Sequence, residues 1–309
     1  MRNKCFGFYS LIFTSLVLLF SQSIFAKSFP APKAGDTIVG YPQSTSNQNG
    51  DDFSDVALRY DLGFYELLET NPGIDSNNPP DIMQIILPTQ YVLPSELKKD
   101  MVLINLAEMR IYYRPSEINK IYIYPIGIGK TDWDTPTGEM KIIRKVRHPN
   151  WVLPESIRKY RAAHGEIMPK VIPAGPENPQ GDYKLDLSIP ALAIHGTNLA
   201  AAIGRRSSAG CIRLYNSDIQ ELFNMVKVGT KVLIINRPYK AGWLNGKLYL
   251  EAHEPLMEQR LETKAGDRTS VIHIIEKANK DRHVNVDWPR IFRITDEHIG
   301  VPRPVEKFN

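Results

Sequence analysis

Residues 101–129 read MVLINLAEMRIYYRPSEINKIYIYPIGIG and contain runs of β-branched and aromatic residues separated by polar breaks. Such runs favour strands, and their close spacing predicts an antiparallel sheet. Farther along, KVLIIN from Lys231 predicts another strand, preceded by a helix with Ser217 as its N-cap. We therefore predict a mainly β domain over residues 99–237, built as a mixed or antiparallel β-sandwich with one or two short helices.

The segments between these strands are rich in proline and glycine. They read DTPTGEM at 134–140, HPNWVLPESI at 148–157 and VIPAGPENPQGDY at 171–183. Chain-breaking residues at this density argue against helix or strand. Long irregular loops on a β scaffold usually build a cleft, so we expect a site here.

The first 26 residues have the pattern of a secretory signal. Arg2 and Lys4 precede a short apolar run, and small residues lead to Ala26, after which we predict cleavage. An uncleaved membrane anchor is the alternative; after cleavage no integral membrane segment is expected. Loss of the two cations lowers the formal charge from +4 to +2, which does not indicate a nucleic-acid-binding protein.

Two further units flank the β domain. After a linker at 27–34, residues 35–94 predict a strand, two short helices and a strand, a small α+β (βααβ) module. Its segments GDTIVG, ELLETNPGID and IILP resemble a LysM module, a family that binds N-acetyl sugars of peptidoglycan or chitin. A packing module without a ligand is the alternative. Residues 238–309 predict an α+β extension that packs on the β domain and contains an Asn-Gly hairpin at 245–246.

The cysteine count points to a working thiol. Cys5 leaves with the signal, so Cys211 has no partner for an intramolecular disulfide in the exported chain. A buried small hydrophobe and an intermolecular disulfide are the alternatives. His195 follows the apolar run ALAI, which predicts a strand that carries the imidazole toward the sulfur. A thiol ordinarily has a pKa of about 8.5, so a neighbouring base is needed to generate thiolate.

The residues around this pair suggest supporting roles. We expect the carbonyl of Gly196 to fix the tautomer of His195. The backbone amide of Gly210 is the candidate oxyanion donor. Arg213 lies two residues beyond the cysteine on a predicted strand and so shares its face, where it would bind a substrate carboxylate. The remaining candidates for substrate binding are Ser208 and Thr197.

The segments IHGTN and SSAGCIRL resemble the L,D-transpeptidases with a YkuD-type catalytic domain. The segments YPIGIGK, DTPTGEM, HPNWVLPESI and PAGPENPQG match the same family in the same order, from about Val102 to Asn236. Together with the LysM-like start and the C-terminal extension, they resemble the Gram-negative ErfK/YbiS group. Many family members have histidine where this chain has Ala209, so any role of that second histidine is not carried over.

The resemblance implies a periplasmic enzyme of peptidoglycan biosynthesis and cell-wall organisation. Its cysteine would form a thioester with a tetrapeptide stem at meso-diaminopimelate, release D-alanine, and pass the acyl group to an amine. That amine would belong to a second stem, giving a 3-3 cross-link, or to a lysine of an outer-membrane lipoprotein. The alternatives are an L,D-carboxypeptidase, a non-catalytic peptidoglycan-binding protein and an ordinary cysteine protease. No cofactor and no metal are expected.

Overall fold

The computed structural model describes residues 27–47, 50–262, 264 and 266–307, so the predicted signal at 1–26 lies outside the described residues. In chain order the strands are β1 (Ser28–Pro30), β2 (Ile38–Gly40), β3 (Gln43–Ser46), β4 (Gln84–Leu87), β5 (Gln90–Val92), β6 (Met101–Asn105), β7 (Arg110–Tyr113), β8 (Lys120–Pro125), β9 (Ile128–Gly129), β10 (Gly138–Arg147), β11 (Trp151–Val152), β12 (Val171–Ile172), β13 (Tyr183–Leu187), β14 (Ala193–His195), β15 (Arg206–Ser208), β16 (Ile212–Arg213), β17 (Lys231–Ile235), β18 (Tyr239–Leu244), β19 (Lys247–Ala252) and β20 (Arg303–Pro304). The helices are α1 (Phe53–Tyr60), α2 (Phe64–Thr70), α3 (Glu155–Ala163), α4 (Asn216–Met225), α5 (Met257–Glu262), α6 (Thr269–Asn279) and α7 (Trp288–Glu297), with a 3₁₀ turn at Ala200–Ala202.

The predicted mainly β domain is confirmed, but its main sheet is continuous rather than a sandwich of two facing sheets. Within the described residues, nine strands pair in the order β1-β8-β7-β6-β17-β10-β13-β14-β16. Strands β6, β7 and β8 pair antiparallel, whereas β17 joins β6 and β16 joins β14 in parallel. The parallel pair β14 and β16 is connected by the long segment 196–211, because parallel strands cannot be joined by a tight hairpin.

Side chains of the main sheet divide between two cores. Along β6, Val102 and Ile104 enter the larger core with α4, while Met101 and Leu103 enter a second one with Tyr91 of the N-terminal unit. Because successive side chains of a strand point to opposite faces, a strand buried on both faces is apolar throughout. The sheet is therefore covered on both sides at β6.

All three proline-rich segments contain regular structure, so the prediction that they are irregular is wrong. Strand β10 begins at Gly138 within segment 134–140, and β12 lies at the start of segment 171–183. β11 pairs with β12, and α3 begins directly after Pro154. Proline is tolerated just before a helix because its missing N–H would have no partner in the first turn. The following RKYRAA is favourable for helix once the chain has turned.

The N-terminal unit has the predicted order of strand, helix, helix and strand, but a different strand pairs. Strand β4 pairs with β3, which lies in the polar tract, and the predicted first strand instead forms β2 and pairs with β5. The side chains of β3 are exposed or half-buried, so no alternation of apolar residues marks it in the sequence. The expected linker at 27–34 also contributes structure: β1 pairs with β8 at the edge of the main sheet.

The C-terminal extension forms its own small core and docks on the rest of the chain. The predicted hairpin joins β18 to β19, and both Asn245 (φ 50°) and Gly246 (φ 77°) are left-handed, as a tight two-residue turn requires. Helices α6 and α7 cover this hairpin with Ile275 and Ile291. Among the described residues, no helix combines the length and apolar character needed to cross a bilayer.

A buried ion network joins all three units. Arg110 of β7 contacts Glu66 of the N-terminal unit and Glu251 of the extension, and Lys240 lies 2.6 Å from Glu108. Glu108, Glu251 and His253 also lie close enough together to hold a metal ion. The cations already pair with these carboxylates, which fits a structural network better than a metal centre.

Candidate active site

Two parallel strand ends bring the predicted nucleophile and base into one cavity. In the pairing of β14 with β16, Ile194 lies opposite Ile212 and His195 lies opposite Arg213. Cys211 immediately precedes Ile212. Residues separated by a loop in the sequence are thus placed side by side by two short strands.

The imidazole of His195 is buried and held in one tautomer. Its Nδ1 lies 2.6 Å from the carbonyl oxygen of Gly196. Because a carbonyl oxygen only accepts hydrogen bonds, Nδ1 carries the proton and Nε2 keeps its lone pair. Burial lowers the pKa of His195 to about 3, against the opposing effect of the Gly196 carbonyl. The ring is therefore neutral at physiological pH, and Nε2 can act as a base.

The sulfur of Cys211 is in its thiol form in this environment. Burial raises the thiol pKa, and the amide of Ala193 and the charge of Lys184 oppose that rise only in part. Sγ lies 3.4 Å from the carbonyl oxygen of Ala191, to which the S–H donates. The resting pair is thus a thiol and a neutral imidazole, whereas the sequence argument expected a readily ionised sulfur.

The turn before the cysteine is fixed by two hydroxyl groups. Ser208 Oγ donates to the carbonyl of Cys211 at 2.5 Å and accepts from the amide of Gly210 at 3.1 Å. Thr135 Oγ1, from the predicted cleft loop, donates to the carbonyl of Gly210 at 2.9 Å. Gly210 has φ of +100°, a conformation that favours glycine. These hydrogen bonds fix the backbone at Gly210 and Cys211 and so position the thiol.

The cavity has a volume of about 550 Å³ and a strongly cationic lining. Its described charged side chains are Lys130, Arg144, Arg161, Lys184 and Arg213 against the single carboxylate Asp186. Aromatic and small residues complete the wall: Trp133, Trp151 and Tyr160, with Ala191, Ala193, Ser207, Ser208 and Ala209 beside Cys211 and His195. The described lining therefore carries a net positive charge.

Arg213 is poised in this cavity without a carboxylate partner among the described residues. Its guanidinium lies 3.4 Å from both the carbonyl and the hydroxyl oxygen of Ser207. Its Nε is buried and has no hydrogen-bond partner in the described part of the chain. Burial lowers the pKa of this guanidinium, but an arginine side chain stays charged at neutral pH. An incoming carboxylate would satisfy the unused donor.

The structure does not place every predicted residue against the cavity. Thr197 is buried outside the lining, where its amide donates to Asn216 and its hydroxyl accepts from Leu199. This points to a structural role. The Gly210 amide already donates to Ser208 Oγ, so it can donate to an oxyanion only if that hydrogen bond breaks. The hydroxyl of Ser208 is likewise engaged in the turn.

Sequence reasoning missed the cations supplied by other strands. Arg144 of β10 and Lys184 of β13 flank Asp186 at 2.6 and 3.1 Å. Lys130 lies over the ring of Tyr160 in α3, 3.9 Å from its centroid. Charged residues alternating on a strand are common on solvated faces, so no signal in the sequence distinguishes these.

Comparison with known proteins gives consistent matches. Residues 99–234 match the YkuD family model, described as an L,D-transpeptidase catalytic domain. The probable L,D-transpeptidase ErfK/SrfK of Salmonella typhimurium is 37% identical over 299 residues, covering 94% of each chain. The probable L,D-transpeptidase YbiS of Escherichia coli is 40% identical over 245 residues, 78% of this chain and 79% of that one.

Among solved structures, the catalytic domain of an E. faecium L,D-transpeptidase aligns with 46% of this chain and 100% of its own, at 20% identity and a TM-score of 0.34.

Proposed function

The chain belongs to the L,D-transpeptidase family, and we propose that it acts in the periplasm as a cysteine acyltransferase on peptidoglycan tetrapeptide stems. The family predicted from IHGTN and SSAGCIRL is thereby confirmed. The observation that carries the proposed activity is a single cavity lined by Cys211, His195 and Arg213. It provides a nucleophile, a base and a carboxylate-binding group within one site.

The first half-reaction forms a thioester. Sγ of Cys211 attacks the diaminopimelate carbonyl that is joined to the terminal D-alanine, while Nε2 of His195 takes the thiol proton. The C–N bond breaks, the leaving nitrogen receives that proton, and D-alanine departs. In the second half-reaction an amine attacks the thioester and gives its proton to Nε2. A new amide forms as the C–S bond breaks, and Nε2 returns that proton to Sγ, which restores the thiol.

The buried environment of Cys211 and His195 favours proton transfer during attack over a preformed ion pair. Burial disfavours both charged partners, because it raises the thiol pKa of Cys211 and lowers the imidazole pKa of His195. A buried neutral pair avoids the cost of charge separation until the substrate arrives. The Nδ1 contact to Gly196 keeps Nε2 as the proton acceptor.

The cationic lining suits a substrate with several carboxylates. Arg213 offers an unused donor for the free carboxylate of diaminopimelate, and a guanidinium binds a carboxylate through two parallel hydrogen bonds. Lys184 and Arg144 extend the positive field along the cavity wall. We infer that this field concentrates anionic stems and excludes cationic peptides.

The aromatic side of the cavity can protect the thioester from water. Tyr160 of α3 packs edge-on against Trp133, with ring centroids 5.8 Å apart. Excluding water gives the acceptor amine time to reach the intermediate. The acceptor is a second stem or a lipoprotein lysine, and hydrolysis instead would make the enzyme an L,D-carboxypeptidase.

The test is incubation of purified protein with tetrapeptide muropeptides, followed by mass spectrometry. We expect D-alanine release. Formation of 3-3 dimers would identify a second stem as the acceptor, and tripeptides alone would identify water. Release that occurs only after a lipoprotein is added would identify the lipoprotein as the acceptor. Cys211→Ala and His195→Ala should abolish release, while the matched His273→Ala, at an exposed residue of α6, should not.

Retention of D-alanine release by Cys211→Ala would refute the proposal. Rescue of every envelope defect of a deletion strain by the same variant would favour a non-catalytic wall-binding protein. Cleavage of casein with indifference to D-centres would favour an ordinary cysteine protease.

A further inference from the structure

The loop that connects His195 to Cys211 is contacted by a helix of the N-terminal unit. The amide of Phe64 lies 3.4 Å from the carbonyl oxygen of Ile203, and the amide of Tyr65 lies 3.1 Å from that of Gly204. Amides in the first turn of a helix have no partner within the helix. This loop, residues 196–210, is called the catalytic loop below. Its carbonyl oxygens accept hydrogen bonds from the first amides of α2, so these amides are not left without partners.

Two glycines permit this backbone contact. Gly204 has φ of +70°, and a Cβ atom there would lie 2.1 Å from the nitrogen of Phe64. A Cβ on Gly63 would lie 3.1 Å from the Cα of Gly204. Any side chain at Gly204 would push the loop away from α2, quite apart from the strain of its positive φ.

Side chains reinforce the same junction. The guanidinium of Arg205 lies 3.2 Å from the ring centroid of Phe64 and donates to Ser54 Oγ at 3.4 Å. Beyond the cysteine, the hydroxyl of Tyr215 donates to the carbonyl of Leu62 at 3.0 Å. The N-terminal unit therefore contacts the chain both before and after the thiol.

The opposite side of the loop is bound to the catalytic sheet. The amide of Gly204 donates to Ile126, that of Ile128 to Arg205, and that of Lys130 to Ser208, each at 3.0 Å. The loop is thus held between α2 and β9, and Ser208 at its end fixes the Cys211 carbonyl.

We propose that α2 of the N-terminal unit positions the catalytic loop, with Gly204 and Arg205 as positioning residues for the Cys211 thiol. This rests on the proposed function, in which that thiol is the nucleophile. A long loop that is bound on one side only gains conformational entropy when it becomes disordered, so it is easily displaced. A displacement of about 1 Å at a reacting atom can lower the rate on the order of a hundredfold. The N-terminal unit is then part of the catalytic apparatus.

The experiment compares Gly204→Ala and Arg205→Ala with matched controls in the full mature chain. Gly246→Ala carries a similar positive φ of +77° but has no atom within 4 Å of the new Cβ. Arg237→Ala removes an arginine whose weak pair with Glu96 is 3.9 Å long and lies away from the cavity. Arg205→Lys keeps a cation over the ring and serves as the rescue.

Three quantities are measured below the melting temperature of every variant: kcat and KM for D-alanine release, and the rate of Cys211 alkylation by iodoacetamide. We expect Gly204→Ala to lower kcat by about tenfold or more and Arg205→Ala by about threefold or more, with little change in KM and an altered alkylation rate. Arg205→Lys should recover most of the loss, and both controls should stay within about twofold of wild type.

Wild-type kcat and alkylation rates in both folded variants would overturn the proposal. So would equal losses in Gly204→Ala and Gly246→Ala, because these would reflect backbone strain alone. If Gly204→Ala does not fold, the Arg205 series decides by itself. Activity in Cys211→Ala would instead refute the proposed function, so the two failures are distinguishable.

Discussion

His253 is buried between two glutamates, and its replacement should destabilise the protein in a pH-dependent way. Its Nδ1 lies 2.9 Å from Glu69 and its Nε2 lies 2.9 Å from Glu251. A carboxylate only accepts, so both ring nitrogens donate and the ring is an imidazolium. The perturbation is His253→Gln, which removes the charge and keeps a polar side chain of similar size.

The magnitude follows from the pKa of the imidazolium. Burial acts to lower it, but the charge of Glu69 and the hydrogen bonds that the ring donates to Glu251 and Glu69 raise the pKa of His253 from 6.5 to about 9. That difference corresponds to roughly 3 kcal/mol of stability. The folded-state pKa is the higher one, so the contribution is complete below about pH 6.5. It declines as the pH rises and is lost above about pH 9.

The assay is urea unfolding of wild type and His253→Gln from pH 6 to pH 10. The difference in the free energy of unfolding should be greatest at pH 6 and should shrink by roughly 3 kcal/mol by pH 10. His273→Gln, at an exposed position of α6, is the control and should leave the pH profile of wild type unchanged. A difference that stays constant across this range would refute the assignment of an imidazolium.

Three other substitutions test the site and the ion network. Arg213→Lys keeps one charge but loses two-point binding, so KM for tetrapeptide stems should rise by about tenfold with unchanged folding; loss of solubility would indicate a structural role instead. Ser208→Ala removes the hydroxyl that bridges the Gly210 amide and the Cys211 carbonyl. Calorimetry should find a free energy of unfolding about 1–2 kcal/mol lower, and kinetic assays should find a lower kcat. Arg110→Met leaves three buried glutamates without their shared cation, which should cost about 3–5 kcal/mol in chemical denaturation; a loss below about 1 kcal/mol would show that Lys240 suffices.

The strands and the nucleophile pair were accessible to sequence reasoning because their signals are local. Runs such as MVLINL and KVLIIN are apolar throughout, and they became β6 and β17 at the centre of the main sheet. The hairpin at Asn245 was predicted from two residues whose backbone preferences fix the turn. Strand β3 was missed because its half-exposed polar residues carry no periodic signal.

The helix in the proline-rich loop was missed for a different reason. Proline ordinarily breaks a helix, but Pro154 stands where a helix tolerates it, just before the first turn. A continuous sheet and a sandwich of two sheets have the same sequence signal, because apolar strands look alike in either arrangement. Only pairing over long sequence distances, such as β6 with β17, distinguishes them.

The sequence alone determined the chemistry available to this protein: the thiol of Cys211, a histidine at a strand end, and an arginine two residues beyond the sulfur. Tertiary structure decided the protonation of that pair, the cationic wall and the contact between α2 and the catalytic loop. Burial sets the pKa values of Cys211 and His195, and burial is a property of packing. The wall and the loop contact join residues from separate strands and units, and only folding brings those residues together.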